Sequence, residues 1–318
     1  MPTIVLCCLV QALVRTKRVA ELVELTLAGT DSQKANAAVD LRDIAQRSAD
    51  NQIAIAEAGG IKPLVMLCRD GTERQKYVAA GALREIASKN ADNQGAIAWA
   101  GGIKPLVVLC RDGTERQKEN AAGALRELAY KHAKNKEAIN FAGGVRPLIV
   151  LCRDGTARQK EHAAGALQAL AAWPGNSDNQ KEINRAGGIK PLIALCRDGT
   201  ARQKQNAAGA LREIASKNVE NQIAIARAGG IEPLVALSRD GNELQKENAV
   251  SALLELASDR PWIKAAIVWA GATEPLLRMA QSFDVALSGQ KEKALGTLRH
   301  LAGTTDTTKA LEWASTQL

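Results

Sequence analysis

Four cysteines, Cys68, Cys110, Cys152 and Cys196, recur 42, 42 and 44 residues apart. A thiol series of that kind could supply nucleophiles, disulfides or soft metal ligands. If the periodic segments stack as helices, equivalent atoms fall about 8–10 Å apart. That is beyond the roughly 7 Å Cα separation of a disulfide, and farther still beyond the reach of Zn–S bonds of about 2.3 Å. The expectation is four free, buried thiols acting as small hydrophobes, in a reducing compartment, cytoplasmic or nuclear. His132, His162 and His300 stand at unrelated or half-repeated positions without ligand spacing. The RDGT segments lack the Lys-Ser/Thr ending and the preceding strand of a phosphate loop. With no nucleophile, base and metal converging, the chain is expected to be non-enzymatic, with no cofactor and no metal.

A second set of recurring residues offers recognition rather than catalysis. Asn120, Asn206 and Asn248, with His162 at the matching place, precede Glu127, Glu213 and Glu255 by seven residues; Glu85 belongs to the same series. At about 100° per residue, positions 78, 81, 85 and 88 lie about 140° around their helix from its apolar stripe, facing a groove. An Asn amide both donates and accepts, which suits the main chain of an extended ligand. Amides about 10 Å apart would meet such a chain at every third residue or so. The Glu row could select basic side chains, but Arg84, Arg126 and Arg212 sit beside it and blur the sign. Tyr130 is the single aromatic in the stripe. Solvated helix surface is the competing explanation for all of these. Gly81, Gly123, Gly165 and Gly209 also recur, although a mid-helix Gly costs about 0.5–1 kcal/mol relative to Ala. Either they form a shelf for a ligand backbone, or they permit close contact with a neighbouring helix, or they are inherited by duplication.

The elements carrying these residues are legible from the repeat. GGIKPLVMLCRDGTERQK at Gly59 returns at Gly101, Gly143, Gly187 and Gly229, with spacings of 42, 42, 44 and 42 residues. An altered copy starts at Gly271, lengthened by three residues before its Gln, and a degraded copy precedes the first, with Gly29-Thr30 in place of Gly71-Thr72. Asn51 to Ala58 reads as a first helix closed by Gly59-Gly60. Pro63 fits the first turn of a second helix that stops at Asp70-Gly71. Thr72/Gln75, Thr114/Gln117, Thr156/Gln159 and Thr200/Gln203 are capping boxes that open a long third helix. Its stripe of Ala79, Leu83 and Ile86 recurs as Ala121, Leu125, Leu128 and Ala207, Leu211, Ile214. No stretch alternates as a strand would. A triplet of this size cannot bury its own apolar face, so neighbours must stack into one continuous core. The fold class expected is an all-α solenoid of about seven three-helix units, a single domain over 1–318: units of approximately 1–50 (cap), 51–92, 93–134, 135–178, 179–220, 221–263 and 264–318 (cap). Trp173-Pro174-Gly175-Asn176 marks a local kink.

A complete unit, NQIAIAEAGGIKPLVMLCRDGTERQKYVAAGALREIASKN, resembles the armadillo repeat family, and the copies extend the resemblance to nearly the whole chain. The resemblance implies a right-handed superhelix whose third helices line a concave groove that binds extended segments of partner proteins. In the family's nuclear-import adaptors a Trp, and an Asn four residues later, clasp basic peptides. Those positions read Gly81/Glu85, Gly123/Glu127, Gly165/Ala169, Gly209/Glu213 and Ser251/Glu255 here, a texture closer to the vacuolar and scaffold-type members.

The net charge of +8 suits an acidic protein, a membrane surface or nucleic acid. Aromatics at 3% leave little for base stacking, so a protein partner is expected ahead of nucleic acid. The alternatives are a nucleic-acid-binding helical repeat, or the interaction region of a larger protein. The apolar run of about eleven residues at the N-terminus is too short to span a bilayer and is expected as a buried first helix; Cys7 and Cys8 leave S-palmitoylation open. A monomer without a transmembrane segment is expected, with dimerisation through the Ile4 to Val10 face as the alternative.

Overall fold

The computed structural model describes residues 17–172, 177–257, 260–281 and 288–301. Three expectations lie outside them: the buried helix around Ile4 to Val10, the kink at Trp173 to Asn176, and the lengthened stretch before the last third helix. Among the described residues every regular element is an α-helix. The chain divides into two compact units, Met1–Leu148 and Ile149–Leu318.

The first unit opens with helical residues 17–28 and the third-type helix Asp31–Ala45. Two full triplets follow, Ala49–Glu57, Ile61–Asp70, Glu73–Ala87 and Ala91–Trp99, Ile103–Asp112, Glu115–Ala129, and then Ala133–Phe141. Helix Val145–Asp154 carries the boundary. The second unit holds Ala157–Ala171, then Ser177–Arg185, Ile189–Asp198, Ala201–Ala215, then Val219–Arg227, Ile231–Asp240, Glu243–Leu256, and finally Pro261–Trp269, Thr273–Ala280, Ser288–Leu301.

Local chemistry sets these boundaries. Gly101 takes φ +78°, which closes the first helix in the left-handed region open to glycine. Gly102 follows because a Cβ there would stand 2.8 Å from Ile97 Cγ2 and 3.1 Å from Val65 Cγ2. All four expected capping boxes form, and so do two more, Thr30/Gln33 and Asn242/Gln245. Four of the capping glutamines, Gln75, Gln117, Gln203 and Gln245, have a second task. Gln117 Nε2 donates to Glu73 O at 2.9 Å, Gln203 Nε2 to Ala157 O at 2.7 Å, and Gln245 Nε2 to Ala201 O at 2.7 Å. The residue that starts one third helix thus holds the start of the preceding one.

Buried amides do the same at the other end. Asn93 Nδ2 donates to Ile86 O at 3.1 Å and Gln52 O at 3.2 Å, and Asn221 Nδ2 to Ile214 O at 3.0 Å and Gln180 O at 3.3 Å. They satisfy third-helix carbonyls that have no partner within their own helix. Between these polar ends lies an aliphatic core. Ala79, Leu83, Ile86, Leu106, Leu125 and Leu128 are at 0% exposure, and each buried Leu or Ile contributes about 1.5–3 kcal/mol. Cys68, Cys110, Cys152 and Cys196 are buried free thiols in that core. Burial pushes all four well above the ordinary thiol range, outweighing the opposing pull of Lys76, Lys118, Lys160 and Lys204 respectively. They are thiols, not thiolates, and unsuited to nucleophilic work.

Candidate functional site

Within each unit consecutive third helices lie side by side, packed on one another and on their own second helices. Their flanks meet along the stripe expected to stand open. Gly81, Gly123, His162, Gly165, Ala169, Gly209 and Ser251 are buried, and Asn120, Asn206, Asn248, Glu85, Glu127, Glu213 and Glu255 are half-buried. Tyr130, at 48%, is the exposed member of the set. The correction has a geometric cause. A wheel drawn on one helix shows the stripe turned to the core but not the flank that a neighbouring third helix covers.

The amides are placed accordingly. Asn120 Nδ2 donates to Tyr77 O at 3.0 Å, Asn206 Nδ2 to Glu161 O at 2.9 Å, and Asn248 Nδ2 to Gln205 O at 3.2 Å. Each acceptor belongs to the preceding third helix. The main chain these amides meet is the protein's own, and their donor half is committed inside the fold. His162 occupies the same position at 6% exposure.

The recurring glycines are seats for side chains. A Cβ at Gly123 would stand 2.8 Å from Arg84 Cδ, and one at Gly81 would stand 3.3 Å from Arg42 Cδ and 3.0 Å from Asn120 Nδ2. At Gly209 the side chain in the way is Gln168, with Cδ at 2.7 Å. A long polar side chain from one third helix thus lies across the glycine of the next, as the close-contact explanation requires.

These arginines also hold the acidic row. Arg126 Nη2 and Glu127 Oε1 are 2.7 Å apart, Arg84 Nε and Glu85 Oε1 3.6 Å, and Arg212 contacts Glu213 Oε1 through Nε at 3.0 Å and more closely through Nη2. Arg212 Nη1 reaches across to Asn248 Oδ1 at 3.1 Å. Lys217 N donates to Glu255 Oε2 at 3.4 Å. The arrangement is a ladder of neutral rungs, each presenting a guanidinium and a carboxylate at a half-exposed seam. Side-chain exposure is 31% for Arg126 and 12% for Glu127.

One rung escaped the sequence reading. Arg42 and Asp43, with Nη2 to Oδ1 at 2.8 Å, lie one repeat length before Arg84 and Glu85, and that offset is the signal that would have found them. No group of three or more His, Cys, Asp or Glu among the described residues could hold a metal ion, and among the described residues no helix is long and apolar enough to cross a membrane.

Comparison with known proteins agrees with this geometry. The model of the armadillo/β-catenin-like repeat matches residues 48–88, 90–130, 176–216 and 218–258. A search of curated proteins gives no match. Among solved structures, a designed armadillo repeat protein, YIII(Dq)4CqI, is 28% identical with a TM-score of 0.71, covering 75% of this chain and 99% of its own. A second, YIII(Dq.V1)4CPAF in complex with the peptide (KR)4, is 27% identical with a TM-score of 0.68 over 75% and 99%. A third, from computationally designed armadillo repeat proteins for modular peptide recognition, is 28% identical with a TM-score of 0.68 over 74% and 99%. With half of its length matched by the family model and the same three-helix unit in its structure, the chain belongs to the armadillo/β-catenin-like repeat family.

Proposed function

We propose that the chain is a non-enzymatic interaction scaffold that holds an extended segment of a partner protein along its third helices, in the groove expected of the family. The observation that carries this reading is the ladder itself: one partly exposed Arg–carboxylate rung per repeat, in register at 42-residue intervals in the first unit. Two designed relatives are described as a peptide complex and as built for peptide recognition, which supports the same use of the fold here. Because each rung carries both charges, the ladder favours a segment that offers a partner for each over one of a single sign. The four buried free thiols suit a cytoplasmic or nuclear setting.

The test replaces Glu127 and Glu213 with Lys and Tyr130 with Ala. The half-exposed faces change while the structural amides stay. Cross-linking and affinity recovery from native lysate should lose the partner, with the far-UV spectrum preserved. Undiminished recovery by the triple variant would discredit the third-helix track.

A further inference from the structure

We propose that the first unit carries a second surface, separate from the third-helix ladder, that docks on anionic lipid bilayers. It lies where first helices hand over to second helices. Trp99 and Phe141, the last residues of two consecutive first helices, are 92% and 97% exposed. In a chain with 3% aromatics, placing two rings at one repeat position in full contact with water is costly use of a scarce residue type. The fold does not need them there. The equivalent position holds Glu57, and in the second unit Arg185, Arg227 and Trp269, all exposed on the same helix ends; Trp269 stands singly there, with Glu274 where Lys104 and Arg146 stand in the first unit.

Basic residues follow the rings by five positions in the chain. After the Gly101-Gly102 turn, Lys104 is the second residue of its helix, and Arg146 and Lys62 hold the same place in the neighbouring repeats, all exposed. Consecutive first helices touch, so the edge reads Glu57/Lys62, Trp99/Lys104, Phe141/Arg146, with equivalent positions about 10 Å apart. Rings this exposed project from the surface rather than line a groove. A rigid partner would need a matching, desolvated pocket for each. A bilayer interface needs none, because it admits amphipathic rings at headgroup depth while neighbouring cations meet anionic headgroups. Lys and Arg stems can lie along that boundary with their charges in water.

The experiment uses the full chain and vesicles of phosphatidylcholine with or without phosphatidylserine. Co-sedimentation is expected with the anionic vesicles, weakening as salt rises. The pair Trp99→Ala and Phe141→Ala should lower partitioning by about tenfold or more. The set Lys62→Gln, Lys104→Gln and Arg146→Gln should lower it about a hundredfold, from about fivefold per charge near an anionic surface. Because a glutamate is accommodated at the ring position in the neighbouring repeat, thermal midpoints should not move. The proposal is overturned if anionic vesicles fail to sediment the protein at low salt, or if the ring variants bind them as well as the original chain does. It is equally overturned if vesicle binding is unaffected while the ring variants abolish retention of single-stranded RNA, or turn a dimer into a monomer in light scattering.

Discussion

The two units differ in the rungs that their third helices carry. The first repeats its rung with little change, as Arg42–Asp43, Arg84–Glu85 and Arg126–Glu127; the second reads Gln168–Ala169, Arg212–Glu213 and Leu254–Glu255. What changes with the rung is the residue facing it on the next third helix. Arg42, Arg84 and Gln168 lie across Gly81, Gly123 and Gly209. Arg212, whose guanidinium is taken up by Asn248 Oδ1, is followed by Ser251. Leu254 leaves Gly296 with its nearest side-chain atom at 3.6 Å, an ordinary contact. At Gly81, Gly123 and Gly209 the glycine and the long polar side chain that precedes it by one repeat thus form one device, a pairing that Arg212/Ser251 and Leu254/Gly296 do not keep. The helix-propensity penalty of the glycine, about 1 kcal/mol, is offset by seating that side chain and its ion pair.

The sharpest break of this comparison is a double-mutant cycle in the first unit. Gly123→Ala removes the propensity penalty but drives a methyl toward Arg84 Cδ, at 2.8 Å. The single change is expected to lose about 0.5–1 kcal/mol in urea unfolding. With Arg84→Ala already present, the same change should instead gain about 1 kcal/mol. The coupling of about 1.5–2 kcal/mol lies within the range for residues in direct contact. Additive effects would mean that the glycine and the arginine are independent. In the second unit the matching change is Gly296→Ala, which has room for its methyl and no long polar side chain to displace. It should stabilise by about 0.5–1 kcal/mol, read as a rise in the urea midpoint at constant m-value. A loss there would separate glycine recurrence from the preceding side chain.

Features set by neighbours in sequence were open to reading in advance, and features set by neighbours 40 residues away were not. The Gly101 turn, the stop at Asp70-Gly71 and the capping boxes involve residues within four positions of one another, so composition and spacing expose them. The first helix of the second repeat begins at Ala49 behind a Ser48 cap, two residues before the expected Asn51, an ordinary displacement for a helix end. Gln117 shows the limit. Its bond to the Thr114 backbone was readable, while its bond to Glu73 O, 44 residues back, requires the stack. Asn120 was placed on the correct stripe, yet its partner Tyr77 O lies on another repeat, so an amide that looked available is committed. The charge-blurring role of Arg126 was visible because it adjoins Glu127 in the chain. Its task across the seam belongs to the third dimension.

A smaller effect sharpens the comparison at the ends of the third helices, where the two units agree. Lys89, Lys131 and Lys217 take φ of 55°, 54° and 52°, a left-handed conformation that costs a lysine more than an asparagine. Substitution by Asn is expected to stabilise by about 0.5 kcal/mol at Lys89. Lys131 should gain less, because its Nζ lies 5.4 Å from the Tyr130 ring centre and that contact, about 0.5–1 kcal/mol at an exposed site, is lost with the ammonium. Lys217 contributes only its backbone N–H to Glu255, which Asn retains, so it should follow Lys89. Thermal midpoints of the three single variants give the order. Were Lys131→Asn the most stabilising, the cation over the ring would hold no energy, and the bend at Tyr130 would be set by backbone strain alone.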